Sequence, residues 1–203
     1  MEEKKTNKFK EHYTKHKSTY SFIIMIVVCI IIAKLLTSFV FISVMVDGNS
    51  MYSTLKNGDK AITDGLFYKM SGIDRFDIVI IDHPKYSEKL VKRVIGLPGE
   101  HLKYSRGVLY INGEVVEETF IDEATKLQTV SIYGNDTFEC TLGKDEYYVM
   151  GDNRRNSADS RYFGAIKKKQ IKGDGILLFG SCRTVTDEGK CKGLKLRWPK
   201  KVK

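Results

Sequence analysis

The sequence has little from which to build a metal centre. Its four cysteines and four histidines fall in no C-x-x-C or His/Cys ligand spacing, so neither a zinc site nor a redox dithiol is expected. No cofactor is called for. Histidine is also poorly placed to serve as a catalytic base. His12 and His16 precede the apolar run near the N-terminus, and His83 and His101 sit in turn-like contexts, beside Pro84 and after Gly99. There is no internal repeat and no low-complexity tract. Only one apolar run is long enough to cross a bilayer; "ILLFG" at 176–180 is far too short.

That one run is near the N-terminus. "FIIMIVVCIIIA" at 22–33 contains no polar side chain, and extension to 20–37 gives about 27 Å of helix, close to the ~30 Å of a hydrocarbon core. Lys34 falls late in the span, where its stem reaches the interface. The long leader and the missing small-x-small pattern after Ala33 favour an uncleaved anchor over a cleaved secretory signal. The leader carries six lysines and no arginine. Positive residues stay on the cytoplasmic side, so the expected organisation has three parts. Residues 1–19 are a cytoplasmic basic leader, 20–37 a single transmembrane helix, and 38–203 an extracytoplasmic domain in contact with membrane lipid.

The net charge of +9 is compatible with nucleic acid as well as with an anionic membrane. No recognition motif appears, and the basic tail at 190–203, seven Lys/Arg with Trp198, would lie outside the cell. The tail is either a headgroup contact or a frayed terminus. Cys182 and Cys191 are close enough in sequence to bridge outside the cell, or are two unrelated thiols; Cys140 would remain odd and Cys29 lies in the span.

From Phe39 onward the pattern is mostly β. Short apolar segments such as "FDIVIID", "KLVKRVIG" and "EYYVMGD" are bounded by Gly, Pro and Asp. "GVLYINGEVV" signals a hairpin turning at Asn112-Gly113. The more acidic and polar stretch 106–144 reads as a small β insert on the main sheet.

Chemistry concentrates in "VDGNSMYSTLKNGD" at 46–59, which offers Ser50, Ser53 and Thr54. "STLK" at 53–56 matches an S-x-x-K pattern, but the K-T-G element that should accompany it is missing. The other reading makes Ser50 the nucleophile and seeks its base elsewhere. A lysine serves if it is desolvated and therefore neutral. Lys92, inside the apolar run "KLVKRVIGLPG", is the best-buried lysine by pattern, although strand alternation could also turn it outward. "GDNRRNSADSRYFG" at 151–164 is dense in hydrogen-bonding side chains and suits a loop that orients catalytic groups.

Taken in order, "GNSMYSTL", "FDIVIID", "LVKRVIGLPGE" and "GDNRRNSADSRYFG" resemble the sequence boxes of type I signal peptidases of the Gram-positive subtype. The resemblance spans roughly 39–176. It implies a membrane-anchored serine endopeptidase with a mostly β catalytic domain, acting on secretory preproteins with small residues at positions −1 and −3. Separately, a monomer is expected. It implies Ser50 as nucleophile, Lys92 as general base, and Ser157 as the hydroxyl orienting that base. The Ser50 backbone N–H would donate to the oxyanion, and the pairs Asp152–Arg93 and Asp159–Arg161 would brace the site. The chain departs from the family's usual pattern at Ser53 (commonly Pro) and Phe76 (commonly Gly). Gly48 stands where some members place an oxyanion-stabilising serine. The alternative function is a membrane-tethered β domain that binds preproteins without cutting them.

Overall fold

The structure, a computed structural model, describes residues 17–65, 70, 72–131, 134–185 and 191–202. The chain divides into a unit over 1–40 and a unit over 41–203. In the first, helix α1 (Lys17–Val40) covers the expected 20–37 helix and extends past both of its ends. Among the described residues no helix is long and apolar enough to cross a membrane; the side chains of 35–40, in the last turns of α1, lie outside those described. Most of the basic leader, with His12 and His16, also lies outside them.

The second unit is built from two antiparallel sheets. The larger runs in the order β1 (Phe41–Met45), β2 (Asp59–Asp64), β11 (Ile171–Val185), β3 (Ile78–Ile81), β4 (Leu90–Gly96), β9 (Glu146–Met150) and β10 (Ile166–Lys167). The last strand, β12 (Cys191–Val202), pairs with β11 off this path. Strands in the middle of the sheet are covered on both faces, which explains the unbroken apolar run of β3, all four of whose residues are buried. Helix α1 holds through Val40, so the β structure anticipated from Phe39 begins at Phe41. The tail is a paired strand and not a frayed end: Cys182 faces Leu194 and Cys191 faces Val185 in the β11–β12 register. The side chains of both cysteines, and that of Trp198, lie outside the described residues.

The smaller sheet has the order β7 (Glu114–Val116), β6 (Val108–Ile111), β5 (His101–Ser105) and β8 (Thr137–Thr141). It begins at His101, so "HLKYS" belongs to it together with the polar segment. Asn112 and Gly113 both adopt positive φ (52° and 90°) and join β6 to β7, as the Asn-Gly pair requires. A short helix α2 (Glu123–Leu127) starts at Asp122, whose carboxylate caps the Thr125 N–H at 2.8 Å. A core of Leu102, Tyr104, Leu109 and Ile111 from this sheet packs on Ile95 and Met150 of the larger one.

Candidate active site

The nucleophile turn follows from where the chain buries its apolar side chains. Beyond β1, Val46 is held by backbone bonds to Asp59 and Gly58. Met51 and Leu55, four residues apart, sink into a cluster with Ala61, Ile78 and Ile176. The Leu55 N–H donates to the Met51 carbonyl at 2.8 Å, and the Tyr52 N–H to Asn49 at 3.1 Å. With Met51 pinned inside, Ser50 is left half-buried at the lip.

Lys92 is set by β4. This strand lies between β3 and β9, and Lys92 faces Val79 in the register. The side chain is turned inward, only 2% exposed. Its Nζ donates to Ser50 Oγ at 2.7 Å. Burial, the largest influence, lowers the Lys92 pKa from 10.5 to about 8. The carboxylates of Asp159 and Asp152 partly oppose this, and the Arg161 guanidinium assists it. A lysine that is neutral at mildly alkaline pH and bonded to a serine hydroxyl can take that hydroxyl's proton.

Both braces are present. Arg93 Nε and a terminal nitrogen hold Asp152 at 2.9 and 2.7 Å, and both side chains are buried. Arg161 holds Asp159 with two bonds of 2.9 Å. Asp159 also caps the short helix α3 (Ser160–Phe163) and accepts from the Gly151 N–H at 3.1 Å. Phe76, standing where glycine is common, has a left-handed backbone. Its φ is +71°, a conformation glycine adopts freely. There its carbonyl accepts from Arg93 at 2.8 Å, and its ring lies 5.0 Å from Phe120. Phe120 in turn stacks under the Arg93 guanidinium at 4.0 Å.

Ser157 is brought to the same place without the bond expected of it. It is buried, yet its Oγ has no hydrogen-bond partner, so it does not donate to or accept from Lys92. It lies against Gly151: a Cβ on Gly151 would overlap both Ser157 Oγ and the Ser50 carbonyl oxygen. Gly48 supplies no hydroxyl, and its N–H donates to Asn57 at 3.2 Å.

Thr54, expected to support the turn, and Asn153, which escaped the sequence reading, both hold the nucleophile turn in place. Thr54 Oγ1 donates to Asp152 at 2.5 Å, which ties the nucleophile turn to the Arg93 brace. Asn153 holds the turn twice, through its N–H to the Ser50 carbonyl at 3.0 Å and its side-chain amide to the Asn49 carbonyl at 3.1 Å. Thr54 and Asn153 stand inside stretches already singled out by composition. Ser53, the other half of the S-x-x-K match, is exposed. No cluster of three or more His, Cys, Asp or Glu able to hold a metal occurs among the described residues.

An open cleft of about 620 Å³ runs beside the dyad, lined by 42–48 on one wall and 88–92 on the other. Both walls offer backbone. Among the described residues β1 pairs only with β2, and β9 pairs with β4 from Arg93 onward, leaving 90–92 without that neighbour.

Comparison with known proteins gives a consistent picture. A family model described as "Signal peptidase, peptidase S26" matches residues 19–179. Signal peptidase I of Bacillus caldolyticus is 40% identical over 152 residues, 72% of this chain and 83% of that protein. Signal peptidase I S of Bacillus subtilis (strain 168) is 36% identical over 175 residues, 83% of this chain and 93% of its own length. A crystal structure of a signal peptidase I from Enterococcus faecalis V583 is 36% identical, covers 50% of this chain and 95% of its own, and superposes with a TM-score of 0.44.

Proposed function

The chain belongs to the signal peptidases of family S26 and, as such, removes signal peptides from preproteins; from that premise we propose that Ser50 and Lys92 are its catalytic dyad. The observation that carries the assignment is the 2.7 Å bond from a buried lysine to Ser50 Oγ. Neutral Lys92 removes the Ser50 proton as Oγ attacks the scissile carbonyl. The oxyanion is received by the Ser50 N–H. The resulting ammonium protonates the leaving amine, and a water then hydrolyses the acyl-enzyme with Lys92 again as base. Ser157 packs against Gly151, whose Cα also faces the Ser50 carbonyl oxygen.

Substrate adds as an extended strand between the two cleft walls, with main-chain bonds for affinity and side-chain pockets for specificity. Small residues at −1 and −3 are the expected preference. Helix α1 is the membrane anchor, with the leader cytoplasmic and the catalytic unit outside. Its support is the apolar run 22–33, in which ten large apolar side chains are between 42% and 59% exposed, preceded by a lysine-rich leader. Sharing a membrane with the substrate raises the effective concentration of each for the other.

The test is incubation of the purified chain with a preprotein in detergent or lipid, with N-terminal sequencing of the product. Ser50→Ala should abolish cleavage with the fold intact, and Ser53→Ala should retain most of it. An active Ser50→Ala with a dead Ser53→Ala would hand the nucleophile's role to Ser53.

A further inference from the structure

The larger sheet holds the dyad, yet the most heavily bonded buried side chain near it is tied to the smaller one. Arg154, in the loop after β9, is 2% exposed as a residue. Its guanidinium donates to Glu118 at 2.5 and 3.3 Å, to the Tyr104 hydroxyl at 3.1 Å and to Thr129 Oγ1 at 3.0 Å. Tyr104 itself donates to Glu118 at 2.6 Å. Tyr104 is on β5, and Glu118 and Thr129 flank α2. The remaining guanidinium donor, Nε, reaches back to the Gly151 carbonyl at 3.2 Å.

Gly151 is the residue with no space to spare. Its peptide is held on the N–H side by Asp159 and on the carbonyl side by Arg154. Its Cα faces Ser157 Oγ and the Ser50 carbonyl oxygen at a distance that admits no Cβ. Two residues on, the Asn153 N–H carries that same Ser50 carbonyl. A displacement of Arg154 therefore moves the backbone against which the nucleophile is seated.

We infer that Glu118 and Arg154 are positioning residues for the peptidase reaction. Through Gly151 and Asn153, the small β insert sets the distance between Ser50 and Lys92. A plain surface pair could not do this. A fully buried guanidinium that satisfies four protein groups keeps one geometry, because any other leaves a buried charge unpaired. The inference rests on the Ser50–Lys92 reading, and it assigns no contact with substrate to either residue.

The experiment measures kcat and KM against pH for the full chain in detergent, with a preprotein substrate, and pairs each variant with its thermal midpoint. Glu118→Gln should lower kcat by about tenfold or more, since a reacting group displaced by a fraction of an ångström loses much of its rate. KM should stay within about twofold, because the cleft walls at 42–48 and 88–92 are untouched. The rising limb of the pH profile should move to higher pH, as a loosened loop lets water reach Lys92. Tyr104→Phe, which removes one hydroxyl and keeps the ring, should shift kcat the same way by a smaller factor. Ile111→Ala is the control: it takes volume from the core of the insert and none of these hydrogen bonds. Folded Glu118→Gln with parental kcat and pH limb overturns the proposal. So does a loss confined to KM, or an equal kcat loss in Ile111→Ala. If Glu118→Gln does not fold, Tyr104→Phe and Thr129→Val are judged by the same criteria. Ser50→Ala is run alongside: if it still cleaves, the dyad reading has failed, whereas a dead Ser50→Ala beside a fully active Glu118→Gln rejects the positioning role alone.

Discussion

As the proposed base, Lys92 depends on an environment that disfavours its own charge, and two consequences can be measured. With a pKa of about 8, the neutral fraction grows about tenfold per pH unit below that value and then levels. Cleavage should follow that curve. Lys92→Ala and Lys92→Arg should both be inactive, since arginine keeps the charge but cannot give up its proton; substantial processing by the arginine variant would refute the dyad. The second consequence concerns stability. Between pH 8 and 10.5 the folded chain holds fewer protons at this site than the unfolded chain, so stability rises with pH across that window. The cost is complete below about pH 8 and gone above 10.5. Near pH 7 it is about 3 kcal/mol, from the cited shift at 1.36 kcal/mol per unit. Lys92→Met should therefore melt higher than the parent at neutral pH, and the gap should close as the pH is raised past 10.5. Equal melting temperatures at pH 7 would count against a desolvated lysine.

At the scale of elements, the loops around the site depend on a left-handed backbone at Phe76 and a close approach at Gly151. Phe76 holds a left-handed conformation that costs a side chain about 1–2 kcal/mol. Phe76→Gly should thus be more stable than Phe76→Ala by about 1 kcal/mol, both having lost the ring contact with Phe120; denaturant midpoints compare the two directly. Gly151→Ala should fold poorly or lose activity, because the new methyl has to displace either Ser157 or the Ser50 peptide. These examples also mark what could be read from sequence. β3, β4, the Asn112-Gly113 hairpin and β9 announce themselves through local runs and turn residues. Ser50 and Lys92 were identifiable as candidates, since a lysine within an apolar run is chemically conspicuous. Their meeting was not: Ser50 and Lys92 are 42 positions apart, and only the sheet order brings them together. Glu118 gave no sign, because a glutamate in "VEET" looks like any solvated residue until the insert folds over it. Ser157 was placed near the base by resemblance, and the bond assigned to it is not made.

For the whole molecule, the proposed anchor gives the apolar helix and the catalytic unit separable duties. A chain starting at Phe41 should cleave a soluble signal-peptide analogue with kcat close to that of the full chain. It should process a membrane-embedded preprotein far more slowly at equal concentration, because the shared-membrane advantage is lost. Comparable rates on liposome-bound preprotein would show that α1 adds nothing to encounter. The sheet order has a further consequence, in time as well as in space. β11 lies between β2 and β3, so the strand beside the nucleophile turn and the strand beside the base are joined through a segment that leaves the ribosome after both. A nascent chain halted before Ile171 has made Ser50, Lys92 and the whole bracing loop, yet lacks the strand that fixes one half of the sheet to the other. The two halves of the sheet are thus joined through its middle only late in synthesis.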